Sequence, residues 1–241
     1  MNKEKEERLK NRLAFSVIMK TFFIEARYKG KVDLPDEIIS ILPKKIALFT
    51  TVQFLDSISG IKKQLEKKGK KVLLIKTEHT KYPGQLLGCN IKKFDEIEKK
   101  FDAFLYIGDG MFHPKALVLK NPKPAFAYNP FSKEYVKLEP KDAEAMRKKN
   151  EGAKLKFMNS KEIGVLISTK PGQNQIKKAY GLEGKYPDKN FYFLLFDTID
   201  FGELENFPFI ECFVNTACPR IAYDEAEKIR KAIVNVDDLF Q

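Results

Sequence analysis

The order of strands and helices occurs twice in this chain, and that repeat restricts the fold more than any single motif. From Ile46, IALFTT is an unbroken apolar strand, SISGIKKQLEKKG a helix closed by glycine, and KVLLIKT a second strand. IKKFDEIEKK then reads as a helix and FDAFLYIG as a third strand, followed by PKALVLK, the strand PAFAY and a turn at NPFSKEY. From Ile163 the order returns: IGVLIST for IALFTT, PGQNQIKKAYG for the first helix, NFYFLLFDT for KVLLIKT, and FPFIECFVNTACP for FDAFLYIGDGMFHP. Ile46 answers to Ile163, 117 positions on, and Phe101 to Phe207, 106 positions on. Insertions and deletions in loops produce such a drift, so the pattern is that of an ancestral duplication. Strands that are apolar throughout and alternate with helices belong to parallel sheets covered on both faces.

The expected fold is therefore α/β, with two similar lobes, each a small parallel sheet flanked by helices. The expected division is an N-terminal helix and linker at 1–45 and a first lobe at 46–137. A connecting helix and loop at 138–160 and a second lobe at 161–241 with a short C-terminal tail complete it. Within the first stretch, residues 1–12 read as a charged helix start, Thr21 to Ala26 as a short strand, and the residues after Pro35 as a short helix. In the connection, helical propensity is good from Pro140 to Lys149, and Asn150-Glu-Gly is expected to end the helix.

Bulk properties exclude several classes. With 43% hydrophobic and 32% charged residues the balance is that of a globular protein, and no run approaches the roughly 20 apolar residues of a membrane span. The start, MNKEKEERLKNR, leads into a short apolar stretch broken by Lys20, with no small-residue cleavage pattern, so a signal peptide is not expected and a cytoplasmic location is. Three cysteines are too few and too scattered for a disulfide scaffold. The net charge of +11 comes mostly from lysines on helix-like stretches, which reads as a solvated surface. An RNA-binding reading would rest on that charge alone, and neither nucleic acid nor membrane is an expected partner.

In open parallel sheets the loops leaving the carboxyl ends of strands gather at the ligand site. Thr50-Thr51-Val52-Gln53, Gly108-Asp109-Gly110, Ser168 to Gln173 and Asn215 to Arg220 occupy such positions. There is no Walker A sequence, and GDGMFH lacks the third glycine of a dinucleotide fingerprint. No C-x-x-C pair exists and only His79 and His113 are available, so zinc is not expected. Cys212, mid-strand in FIECFV, reads as a buried thiol. Cys89, in GQLLGCN, and Cys218, in FVNTACPR, stand at loop positions beside Gly or Pro, one in each lobe. The residues alone leave Cys218 open as a packed thiol, a nucleophile paired with His113, or a ligand. Two thiols on facing loops can also share an iron–sulfur cluster, which takes thiolate ligands. His113 is as readily a turn residue as an active-site one. Gln173 can orient a substrate, and Arg220 can grip a carboxylate bidentately.

Taken together, FIEARYKGKVDLP, IALFTTVQF, GQLLGCN, YIGDGMFHPKALVL, NPFSKEY, IGVLISTKPGQ and FVNTACPRIAYD resemble the diphthamide synthase family, the 2-(3-amino-3-carboxypropyl)histidine synthases. The resemblance runs in family order from about Phe23 to Asp224. It implies three similar α/β lobes per full-length chain, each giving one cysteine to a [4Fe–4S] cluster. The cluster's open iron binds S-adenosylmethionine, whose 3-amino-3-carboxypropyl group is transferred to a histidine of translation elongation factor 2. Carried over by motif, Cys89 is the second-lobe ligand and Cys218 the third-lobe ligand. Gln173 and Arg220 are expected at the methionine moiety, with Thr50, Thr51, Gln53, Gly108 and Asp109 as companions. The first lobe and its cysteine are missing from this pattern. The chain is thus expected to be one piece of a divided enzyme, completed in a homodimer or by a heterodimer partner of the same family. The other readings are a shortened enzyme with another third ligand, Cys212 included, and a non-catalytic paralogue. The positive surface suits an acidic face of a protein partner.

Overall fold

The computed structural model describes residues 22, 24–89, 91 and 93–240. It contains two sheets. The first has the order β2-β1-β3-β4-β5, built from β1 (Lys45–Thr50), β2 (Lys71–Leu73), β3 (Ala103–Ile107), β4 (Ala125–Tyr128) and β5 (Tyr135–Leu138). The second has the order β7-β6-β8-β9, from β6 (Glu162–Ser168), β7 (Asn190–Phe196), β8 (Cys212–Asn215) and β9 (Ala232–Asn235). All pairings are parallel except β4 with β5. The α/β class and the two helix-flanked sheets are as expected.

The apolar strands are apolar throughout because both faces are covered. Along β1, Ile46 and Leu48 point into one core with Ile58, Ile61 and Leu65 of α2 (Ile58–Lys67), while Ala47 and Phe49 point into the opposite core with Ala116 and Leu117 of α3 (Phe112–Leu119). That is the period-two alternation of a strand with a helix on either side. Each such Leu, Ile or Phe, taken fully out of water, contributes about 1.5–3 kcal/mol. The second sheet repeats the scheme. Ile163, Val165 and Ile167 of β6 face α4 (Glu144–Asn159) and α5 (Ile176–Lys185), and Leu166 faces Phe213, Leu204 and Ala222.

Several expectations are corrected. Phe22 and residues 24–26 carry no strand, and the expected helix at 1–12 lies outside the described residues. α1 (Asp36–Ile41) follows Pro35 as expected, but Val32, Leu34, Ile38 and Leu42 of the supposed linker lie in the first sheet's core. KVLLIKT pairs only over Lys71–Leu73. Of IKKFDEIEKK, expected as a helix, the described part FDEIEKK makes turns and a 3-10 turn at Glu98–Lys100 rather than an α-helix. There Phe94 and Ile97 are drawn onto Phe101 and Phe104, and packing overrides the weak periodicity. α4 runs straight through Asn150-Glu-Gly to Asn159 because the turn beyond Gly152 buries Ala153 and Phe157. That burial outweighs the roughly 1 kcal/mol that glycine costs inside a helix. The tail read at the C-terminal side is the fourth strand, β9, plus α7 (Val236–Leu239).

The two lobes are joined by a buried polar cluster. Asp238 of α7 accepts from Lys120, just past α3, at 2.6 Å and from Asn150 of α4 at 3.0 Å. The Tyr223 hydroxyl, from α6 (Arg220–Asp224), donates to the same carboxylate at 3.3 Å while its ring sits in the first sheet's core. Strand β7, at one edge of the second sheet, leaves Tyr192 and Leu195 exposed.

Candidate cofactor site at the carboxyl ends of the two sheets

The string NTACPR owes most of its residues to holding one thiol in place. Asn215 ends β8, and its side-chain oxygen accepts the Ala217 N–H at 3.0 Å. Its Nδ2 donates to the Cys218 carbonyl and to Asn235 Oδ1, both at 2.8 Å, and Asn235 in turn donates to the Pro219 carbonyl at 3.0 Å. Thr216 ties the loop to β6 by donating both its N–H (3.0 Å) and its hydroxyl (2.8 Å) to the Leu166 carbonyl. Pro219 precedes the first residue of α6 with a φ of −62°, which its ring fixes. Cys218 is left half-buried at the tip of this locked loop.

Cys89 arrives differently. The segment Gly84–Leu86 extends along the end of β1, with the Thr50 N–H donating to the Gly84 carbonyl and the Leu86 N–H to the Thr50 carbonyl, both at 2.8 Å. Gln85 closes the preceding turn by accepting the Lys81 and Tyr82 N–H groups at 3.0 and 3.2 Å. At Gly88 a Cβ would lie 1.9 Å from the Phe112 ring, so only glycine lets the loop lie on that ring. Cys89 follows, exposed.

The fold brings these two thiols within electrostatic reach of each other. Burial pushes the Cys218 thiol above its ordinary pKa, and the nearby Cys89 pushes it further up. Phe112, the first residue of α3, contacts both loops: Gly88 lies on its ring, and the Arg220 guanidinium sits 4.2 Å from the ring centroid. Cys212 is elsewhere, fully buried at the start of β8 and pushed up to about 12 by burial first of all. The two grouped thiols have the donor chemistry of a thiolate-held cluster, and Cys89 with Cys218 would hold it. Among the described residues no set of three or more Cys, His, Asp or Glu side chains is arranged to hold a metal ion.

Beside Cys218 lies a cavity of about 310 Å³ lined by Phe112, Ser168, Lys170, Gln173, Asp197, Thr198, Cys218 and Arg220 among others. Arg220 is only 3% exposed and pairs bidentately with Asp224. Its Nη1 is buried with no hydrogen-bond partner. A buried guanidinium nitrogen without a partner is costly, and an arriving carboxylate removes that cost. Gln173, just after the Lys170-Pro171-Gly172 turn, shares the cavity.

The other expected companions do not line it. The Thr50 hydroxyl donates to the Ile107 carbonyl at 2.7 Å, so it fastens β1 to β3. The Gln53 carbonyl accepts the Tyr28 N–H at 2.7 Å. Asp109 accepts from Asn129 at 2.9 Å, and Gly108 lies over the Tyr106 hydroxyl, where a Cβ would come within 2.4 Å. Thr51 keeps a buried hydroxyl without a partner. His113 stacks on Tyr106 at 5.8 Å, and its pKa is lowered by burial and then by Arg220, which suits a neutral wall residue. The residues missed by sequence reading are Phe112 and the pair Asp197-Thr198. Asp197 was legible as the acidic residue directly past a βαβ unit's second strand.

The comparisons with known proteins give the family. The profile of diphthamide synthesis proteins matches residues 13–240. The 2-(3-amino-3-carboxypropyl)histidine synthase of Pyrococcus horikoshii is 30% identical over 199 residues, covering 81% of this chain and 56% of that protein. Subunit 1 of the same synthase from Caenorhabditis elegans is 30% identical over 195 residues, covering 79% and 48%. The crystal structure of Dph2 from Pyrococcus horikoshii with 4Fe-4S cluster superposes with a TM-score of 0.69 at 28% identity, covering 85% of this chain and 58% of that one. The chain thus spans about half the length of the curated relatives it matches. Two sheets in the family's order, a family profile over nearly all the chain and synthases at this identity lead to one statement: the chain belongs to the diphthamide synthesis protein family.

Proposed function

We propose that this chain is part, or a short form, of an iron–sulfur, S-adenosylmethionine-dependent 3-amino-3-carboxypropyl transferase. Its acceptor is a histidine of translation elongation factor 2, in the first step of diphthamide biosynthesis. One observation carries the reading: Cys89 and Cys218, on loops of different sheets, lie within electrostatic reach of each other, and Cys218 lines a cavity with Arg220, whose Nη1 is buried without a partner. When bound, a four-iron cluster supplies the electron for reductive, radical cleavage of adenosylmethionine and an open iron to bind it. The chain's own residues do the rest. Cys89 and Cys218 act as thiolate ligands, Arg220 grips the methionine carboxylate, and Gln173 offers an amide to the same moiety. Phe112 and Arg220 form part of the cavity's wall.

A third thiolate comes from a second copy or from another family chain in a heterodimer. The reaction belongs in the cytoplasm, and among the described residues no helix is long and apolar enough to cross a membrane. A second reading, a non-catalytic paralogue or partner subunit, is favoured by the gathering of only two cysteines.

Anaerobic reconstitution with iron and sulfide separates the two readings. Iron per chain and the visible spectrum are compared for the wild type and for Cys89→Ala, Cys212→Ala and Cys218→Ala. A four-iron signal lost in the Cys89 and Cys218 variants and kept in Cys212→Ala is expected. No iron in a folded wild-type sample, alone or mixed with another family chain, would leave the paralogue reading.

A further inference from the structure

The cavity's position in the second sheet says more than its proximity to Cys218. From β6 the chain moves outward to β7 on one side and then returns to β8 on the other, as the order β7-β6-β8-β9 shows. The loops after β6 and β8 therefore diverge, and a crevice opens at the carboxyl ends of the strands, where open α/β sheets bind ligands. Lys170 and Gln173 enter it from the loop after β6, Asp197 and Thr198 from the loop after β7, and Cys218 and Arg220 from the loop after β8.

In such β-α-β units the acidic residue at the end of the second strand accepts hydrogen bonds from ribose hydroxyls. Asp197 is the first residue past β7. One of its oxygens is held by the Thr169 hydroxyl at 3.3 Å, and the neighbouring Thr198 hydroxyl accepts from the Lys170 ammonium at 3.1 Å. A second observation points the same way: Arg220 lines the same cavity with a buried Nη1 that has no partner. The cavity lining thus combines a guanidinium, Arg220, with a carboxylate, Asp197, and Ile199 and Phe201 as apolar wall.

The loop after β6 offers no backbone cradle for a phosphate. Nucleotide cradles need successive backbone N–H groups at a helix start. Here Pro171 has no N–H, the Gln173 N–H is given to the Lys170 carbonyl, and Asn174 takes the first N–H of α5.

We infer that Asp197, with Thr198 beside it, is the ribose subsite of this cavity, selecting a nucleoside with a free 2′,3′-diol and no phosphate. The inference rests on the transferase reading for the nucleoside's identity and deepens it by assigning its sugar. Asp197 is exposed, so the Asp197→Asn variant folds, and it keeps the bond from Thr169.

The test is isothermal titration of the anaerobically reconstituted wild type and Asp197→Asn. The probes are S-adenosylhomocysteine, its 2′-deoxyribose analogue, and adenosine. The wild type is expected to prefer the ribose form by about tenfold or more, the worth of a hydrogen bond to a charged acceptor, and Asp197→Asn to lose that preference. Binding of S-adenosylhomocysteine with equal ribose preference in both proteins overturns the subsite and leaves the transferase reading standing. Asp197-dependent binding of adenosine but not of S-adenosylhomocysteine keeps the subsite and overturns the transferase reading. Binding of neither adenosyl compound overturns both.

Discussion

Three cysteines in one chain have three different environments, and their chemistry should sort accordingly. Cys89 is exposed, Cys218 half-buried, and Cys212 sealed in the core. Alkylation of the cluster-free protein at pH 8, followed by peptide mass spectrometry, should label Cys89 first and Cys218 more slowly. Cys212 should react only after unfolding, since the thiolate is the reacting form and burial disfavours it. Cys212 also has a pH signature. Its folded pKa is raised from 9.0 to about 12, so the folded state holds a proton that the unfolded chain releases. The stability it contributes is present below pH 9 and is lost as pH rises towards 12. Cys212→Ala should therefore show a shallower alkaline loss of stability than the wild type in urea titrations.

At the scale of elements, α3 matters through its first residue. Phe112 contacts both the Gly88-Cys89 turn and the Arg220 guanidinium of the Cys218 loop. Phe112→Ala is expected to let the two thiols approach. A dithiol-bridging arsenical should then bind the variant with an altered rate, while Phe112→Tyr behaves as wild type and both keep the same melting temperature within a few degrees. An unchanged rate in Phe112→Ala would remove its positioning role. In α4, a methyl group added at Gly152 would meet nothing within 4 Å, so Gly152→Ala should stabilise the protein by about 0.5–1 kcal/mol in urea denaturation.

The same elements show what the sequence made legible. Strands apolar on both faces announced a sheet with two covered sides, as Ile46-Ala-Leu-Phe49 does. Gln173 and Arg220 could be picked out because loops after parallel strands gather at one end of a sheet, while Cys89 and Cys218 were singled out as ligands by the family-like strings GQLLGCN and FVNTACPR. What stayed hidden depended on partners distant in sequence. The continuation of α4 past Asn150 depends on the core that receives Ala153 and Phe157, with Val214 and Val234 in it, and the work of Thr50 depends on the carbonyl of Ile107. Nothing local in either string reports such partners.

For the whole molecule, the Asp238 cluster governs how the lobes are set against each other. Lys120, Asn150 and Tyr223 all converge on its carboxylate, whose side chain is 2% exposed. Removing one member of a buried ion pair strands the other, at about 3–5 kcal/mol. Asp238→Ala should lower stability by about that amount, and Asp238→Asn by less. Because α6 carries both Tyr223 and Arg220, both variants should also weaken the coupling between Cys218 and Cys89, read as slower dithiol bridging in protein that is still folded.

The open side of β7 has a consequence for how the protein behaves in concentrated solution. Seven residues from Asn190 to Phe196, six of them apolar, run along a sheet edge with Tyr192 and Leu195 outward, and the flanking Asp188, Lys189 and Asp197 are the nearest charges. Such a border is a template for another strand, and flanking charges are what discourage it. The ordinary lysine-rich repulsion of a +11 chain then keeps copies apart at low ionic strength, and salt weakens that repulsion. Light scattering should accordingly show self-association growing with added salt, and Leu195→Lys should suppress it. An aspartate that receives a sugar would, on this account, also serve as the strand's guard against its own kind.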